Sequence, residues 1–199
     1  MKLQFSRIGR ALGWCAALLV ASGATAQTWP DRPIKLVVPF SAGGGADVAA
    51  RTYGEKLSSL LGQPVVIENK PGASGNIGAE LVARGPADGY TLLFGNEFLA
   101  TNPVMFQNIR YDSLKDFVPI AKVASTPVAI AAHPSLPVKT VQDLLALGRT
   151  RPLNYASPGV GTGPHLFGQL MALGSGAKFN NIPYRGSAPA MADAVGGQV

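Results

Sequence analysis

The sequence predicts an α/β protein built from two parallel-sheet lobes, and three observations carry the prediction. Short β-branched runs alternate with helix-period segments along most of the chain. Glycine-rich turns stand where a strand gives way to a helix. The order strand, glycine turn, helix appears at IKLVVPFSAGGGADVAAR and again, far downstream, at LNYASPGVGTGPHLFGQL. The second occurrence repeats the architecture and not the residues.

The elements follow in order. Ile34–Val38 is a continuous apolar run between Pro33 and Pro39, the pattern of a strand buried on both faces. A helix is expected over about 46–61, with Val48, Tyr53, Leu57, Leu60 and Leu61 on one face and a Gly62/Pro64 stop. Val65–Asn69 (VVIEN) reads as the second strand. It is followed by the glycine turn KPGASGN, a helix near 77–84, the turn GPADGY and a third strand over 90–96. Residues 116–124 and 128–132 are two further apolar runs, where a new unit begins. Thr140 with Asp143 three residues on is an N-cap signal for VQDLLALG. LNYAS then reads as a strand, LFGQLMALG as a helix, and NIPYRGSAPAMADAVGG as strand, turn and helix. The 24 glycines and 16 prolines agree with many short elements joined by tight turns.

The N-terminus carries a different signal. MKLQFSRIGR holds Lys2, Arg7 and Arg10, ALGWCAALLVAS is apolar, and ATA fits a cleavage pattern. The apolar run falls short of the roughly 20 residues a membrane span needs. Residues 1–26 are therefore expected to be a Sec-type signal peptide, cut after Ala26. Bulky Trp14 ahead of Cys15 argues against lipid attachment there. Cleavage removes the single cysteine and lowers the formal charge from +6 to +3. A mature chain without cysteine has no disulfide, thiolate nucleophile or thiolate metal ligand. Its Lys and Arg are scattered without a basic run, so no nucleic-acid partner is expected.

The glycine loops are the places where chemistry is expected. Residues 40–47 lack the Gly-Lys-Ser/Thr ending of a phosphate loop. Gly159, Gly161 and Gly163 form GxGxG, a poor dinucleotide fingerprint. Either loop alone is equally a packing turn. Together, at the first strand-to-helix junction of two lobes, they favour an anionic solute held by helix N-termini. Ser157 and His165 allow a serine hydrolase reading with remote Asp47, but no G-x-S-x-G elbow surrounds the serine. His165, at the start of a helix, suits a capping or ligand-facing role better. Asp47 either orients a ligand amine or caps its helix. The two histidines, His133 and His165, stand alone, so neither a metal nor another cofactor is expected. Phe94, Phe98 and Phe106 read as core.

WPDRPIKLVVPFSAGGGADVAAR, VVIENKPGASGNIGAE, DGYTLLFGN, YASPGVGTGPHL and YRGSAPAMADAVGGQV occur in an order that resembles the Bug family. These are the periplasmic receptors of tripartite tricarboxylate transporters. The resemblance covers essentially all of the mature chain. It implies a type II periplasmic-binding-protein fold with two Rossmann-like lobes, here 27–124 and 125–199, the second C-terminally incomplete. It also implies a periplasmic protein without catalysis that captures a small carboxylate, such as a di- or tricarboxylate or an acidic amino acid. The captured solute would pass to the permease subunits of the transporter. From the first loop the family pattern transfers to Phe40, Ala42, Gly43, Gly44 and Asp47. From the second it transfers to Ser157, Gly159, Gly161, Thr162 and His165. Gly95 and Asn96 are expected to shape the rest of the pocket. The alternatives are a secreted hydrolase using Ser157 and His165, a solute sensor signalling to a membrane kinase, and a truncated product.

Overall fold

The computed structural model describes residues 29–199. The expected signal peptide therefore lies outside the described residues. From Arg32 to Val199 the chain forms one compact unit containing two separate parallel sheets.

The first sheet has three strands, β1 (Ile34–Val38), β2 (Val65–Asn69) and β3 (Thr91–Leu93), in the order β2-β1-β3. Both pairings are parallel, with Ile34 opposite Val65 and Leu36 opposite Leu92. β1 is therefore central, which explains its uninterrupted apolar run. The connections are α1 (Gly45–Leu61) between β1 and β2, and α2 (Asn76–Ala83) between β2 and β3. The first crossover moves one way across the sheet and the second moves back past β1. With right-handed connections the two helices cover opposite faces. The core divides accordingly. Leu36 and Val38 pack with Ala50 of α1, whereas Phe40 and Ala79 of α2 join Phe98 and Tyr111 in a second cluster.

β3 is shorter than the strand expected over 90–96. One residue at each end prolongs its pairing: the Tyr90 carbonyl accepts the Lys35 N–H at 2.8 Å, and Phe94 donates its N–H to the Val37 carbonyl at 2.9 Å. The chain then turns into α3 (Phe98–Met105), a helix the sequence pattern does not announce, because Pro103 lies inside it. Its start is marked by Asn96, whose Oδ1 accepts the Phe98 N–H at 3.2 Å. Between Phe106 and Thr140 there is no helix or strand. Apart from Phe117, which packs edge-to-face on Tyr111, the apolar runs there stay exposed, with Val118 at 87% and Ile120 at 78%.

The second sheet pairs β4 (Leu153–Ser157) with β5 (Phe179–Pro183) in parallel, Leu153 opposite Phe179. α4 (Val141–Thr150) precedes it, α5 (Gly163–Ser175) connects its strands and α6 (Ser187–Val195) follows. The N-cap expectation holds in full. Thr140 accepts the Asp143 N–H, and the Asp143 carboxylate accepts the Thr140 N–H, a complete capping box.

Candidate functional site

The loops at the C-terminal ends of β1, β2, β4 and β5 converge on one cavity of about 220 Å³. In an open parallel sheet this is where a ligand is received, because strand order reverses there and helix N-termini point outward. One wall comes from Pro39, Phe40 and the turn 72–75 after β2. The facing wall comes from 158–160 after β4 and 183–185 after β5, and Phe106 closes one side.

Apolar surface from prolines, Phe40, Phe106 and Val160 makes up most of the lining. Phe40 is fixed from behind by an edge-to-face contact with Phe98, centroids 5.8 Å apart. Three side chains bring polarity: Ser74, Tyr184 and Arg185. The Tyr184 hydroxyl is committed to Asp193 Oδ2 at 2.6 Å, and that bond raises its pKa above the usual phenol value. Arg185 is the single charged residue of the lining. Among the described residues no carboxylate pairs with its guanidinium. Its backbone, by contrast, is fixed. The Arg185 carbonyl accepts both the Ser41 N–H at 3.0 Å and the Ser41 hydroxyl at 2.7 Å.

The turn after β2 is strained. Gly72, Ala73, Ser74 and Gly75 have φ of 129°, 45°, 54° and 93°, and Ala73 and Ser74 are the two described non-glycine residues with positive φ. Such residues cost on the order of 1–3 kcal/mol each and persist where their surroundings over-determine them. Here the fully buried Asn102 of α3 supplies the restraint, donating Nδ2–H to the Ser74 carbonyl at 3.0 Å and to Asn76 Oδ1 at 2.8 Å.

Of the residues singled out in the sequence, Phe40 and Gly159 line the cavity. The others stand behind it. Asp47, buried at 3% exposure, accepts the Gly43 N–H at 2.9 Å, Arg51 Nε–H at 3.0 Å and Asn69 Nδ2–H at 2.9 Å. The Arg51 bond leads in lowering its pKa to about 2, with Gly43 and Asn69 adding to it against the opposing effect of burial. Asp47 thus ties the loop to its own helix, close to the capping role weighed above. Ala42 is exposed and Gly44 is the N-cap of α1. Gly45 N–H reaches Ser187 Oγ at 3.2 Å.

In the second loop the amides also have internal partners. Gly161 N–H goes to His165 Nδ1 at 3.1 Å, and Thr162 N–H goes to the Gly159 carbonyl at 3.3 Å. The hydroxyls of Thr162 and Ser157 also point to that carbonyl, at 2.7 and 3.4 Å. Burial holds the His165 pKa below 6.5, and a ring accepting at Nδ1 carries its proton on Nε2. Ser157 Oγ and His165 Nδ1 are therefore engaged with separate partners, and Asp47 with Arg51.

Gly43 and Gly161 do not lie against each other. The first loop packs on the first turn of α6, where Ala188 is the neighbour of Gly43. The second packs on α3. Gly161 has φ +83°, and a Cβ there would sit 2.8 Å from Asn102 Oδ1. Gly95 and Asn96 stand outside the lining, Asn96 serving the start of α3 instead. Arg185, Ser74 and α3 were missed by sequence reasoning. The YRGS turn was the available signal for the arginine, but only folding brings it beside Ser41.

Two parallel α/β sheets presenting their carboxyl-end loops to one cavity define the two-lobed fold of the periplasmic-binding-protein type. The chain belongs to the tripartite tricarboxylate transporter family receptors, whose family model matches residues 49–199, the group that includes the Bug proteins. It is 40% identical over 184 residues to protein BugT of Bordetella pertussis, covering 90% of this chain and 56% of BugT. Among solved structures, Rpa4515 of Rhodopseudomonas palustris with adipate superposes with a TM-score of 0.83 at 41% identity, over 86% of this chain and 58% of that one. MatC of the same organism, with bound malate, gives 0.76 at 30% identity, over 86% of this chain and 59% of that one. The chain thus spans less than two thirds of the length of these relatives. Among the described residues no helix is long and apolar enough to cross a membrane, and no cluster of metal-ligating side chains forms.

Proposed function

We propose that this protein is a periplasmic solute receptor that captures a small carboxylate in the cavity between its two sheets and delivers it to a tripartite transporter in the membrane. The observation that carries the reading is Arg185, the single charged residue lining a mainly apolar cavity and without a carboxylate partner among the described residues. A ligand carboxylate supplies the missing partner, and a charge-assisted bond of that kind contributes about 1.5–3 kcal/mol. Ser74 adds a hydroxyl, while Phe40 and Phe106 enclose the ligand's carbon frame. The adipate and malate seen in two structural neighbours fit this chemistry. Gly43, Gly44, Asp47, Gly161, Thr162 and His165 serve capture by holding the loops that end at Phe40 and Gly159. Transfer is binding without turnover, because Ser157 and His165 are each engaged elsewhere.

Calorimetric titration of the chain with adipate, L-malate, citrate and benzoate tests the proposal. Binding of at least one acid, weakened at least about tenfold by Arg185→Met, is the expected outcome. Absence of binding to every acid, or binding indifferent to Arg185→Met, contradicts it.

A further inference from the structure

The cavity's two walls belong to different sheets, so something must set the distance between them. One stretch of α3 touches both. Asn102 reaches back to the Ser74 carbonyl at 3.0 Å and holds the wall of the first sheet. Thr101, the preceding residue, donates its hydroxyl to the Gly161 carbonyl at 2.7 Å. Glu97, one turn earlier, accepts the Gly163 N–H on Oε1 at 2.9 Å. Residues four apart lie on one helix face, so Glu97 and Thr101 grip the second loop at points flanking Thr162. That loop continues directly into cavity wall 158–160.

We infer that Glu97 is a positioning residue for ligand capture, a carboxylate on the first lobe that fixes the second lobe's wall by holding the first amide of α5. The chemistry favours a charge at that point. Gly163 opens α5, and the first N–H groups of a helix carry a partial positive charge without an intrahelical acceptor. Thr162, the residue in the N-cap position, makes no side-chain cap. Its hydroxyl is turned to the Gly159 carbonyl instead. The cap of α5 is thus supplied from the opposite lobe, and separating the lobes would leave it open. Glu97 consequently links helix capping to wall spacing, and acts on the ligand only through the loop.

The inference rests on the capture reading for its affinity arm alone, since the Glu97 contact exists without ligand. The test combines amide exchange at Gly163, followed by NMR in the ligand-free chain, with calorimetry using adipate as probe. Glu97→Ala is expected to accelerate Gly163 exchange about tenfold and to weaken adipate about threefold to tenfold, the exposure of the side chain limiting the effect. Glu97→Gln, which keeps an acceptor at the same reach, should recover most of the exchange protection. Glu97→Asp, one methylene shorter, should recover little. Thr101→Val provides a nearly isosteric second variant and should shift both readouts in the same direction by less. Unchanged Gly163 exchange in Glu97→Ala overturns the contact. Faster exchange with adipate affinity unchanged reduces Glu97 to a local cap and overturns its positioning role. If the parent chain binds no acid of the panel, capture and positioning fall together, and a Gly163 amide still protected by Glu97 shows that the fault lies in the capture reading and not in the contact.

Discussion

The two glycine loops share an architecture in the sequence, yet their internal anchors differ. The first loop is organised around a buried charge. Asp47 gathers the Gly43 amide, Arg51 and Asn69, all from its own lobe. The second is organised around neutral acceptors. His165 takes the Gly161 amide, and the Gly159 carbonyl takes two hydroxyls. Its remaining supports, Thr101 and Glu97, come from the other lobe. The first loop also bonds across the gap, through Ser41 to the Arg185 carbonyl and through the Gly45 N–H to Ser187 Oγ. The two loops therefore differ in the charge of their internal anchor, and not in whether they reach across the gap.

The largest effect expected from breaking this contrast comes from Asp47→Ala. It removes the acceptor shared by the Gly43 amide, Asn69 Nδ2 and the half-exposed Arg51 guanidinium, a loss of about 1–3 kcal/mol in global stability. Denaturant unfolding monitored by circular dichroism measures it. Gly161→Ala comes next, at about 1–3 kcal/mol, because a side chain there meets both an unfavourable φ and Asn102 Oδ1. Gly45→Ala is its control. No atom lies within 4 Å of a Cβ at that position, and stability should stay within about 0.5 kcal/mol.

Acid separates the two loops with smaller effects still. Asp47 has a folded pKa of about 2, below the ordinary 3.8, so its contribution is complete above about pH 4 and is lost as pH falls toward 2. A decline of about 1–2 kcal/mol over that window is expected, and Asp47→Asn should abolish it. His165 is held below 6.5, so the unfolded chain takes up its proton first, and stability declines as pH falls through 6.5. Protonation at Nδ1 also ends its acceptance of the Gly161 N–H. The protection factor at Gly161, corrected for the intrinsic slowing of exchange in acid, should therefore fall relative to that at Gly43 as pH is lowered below 6.5, which NMR over a pH series would register.

What was legible in the sequence follows from how local each cause is. β1 could be read because a central parallel strand needs apolar residues on both faces. α4 could be read because Thr140 and Asp143 are close neighbours that cap one another. α3 could not, since Pro103 argues against a helix, and the contacts that hold it, such as Asn102 on Ser74 and Asn76, join distant segments. The apolar runs around Val118 and Val128 could be seen but not placed, as a strand requires a partner that no local pattern supplies. At the site the glycine loops were evident, but their amides were expected to face a ligand. Gly43 and Gly161 give those hydrogens to Asp47 and His165. Arg185 was invisible as a site residue because its place depends on Ser41, at the far end of the chain from it.

Hydrogen–deuterium exchange with and without saturating adipate tests most directly whether both lobes receive a single solute. The account predicts that amides beside Phe40 and Ser74 and those beside Gly159 and Arg185 become slower together, at the same ligand concentration. Protection confined to one lobe, or an exchange map unaltered by a ligand shown to bind, would contradict it.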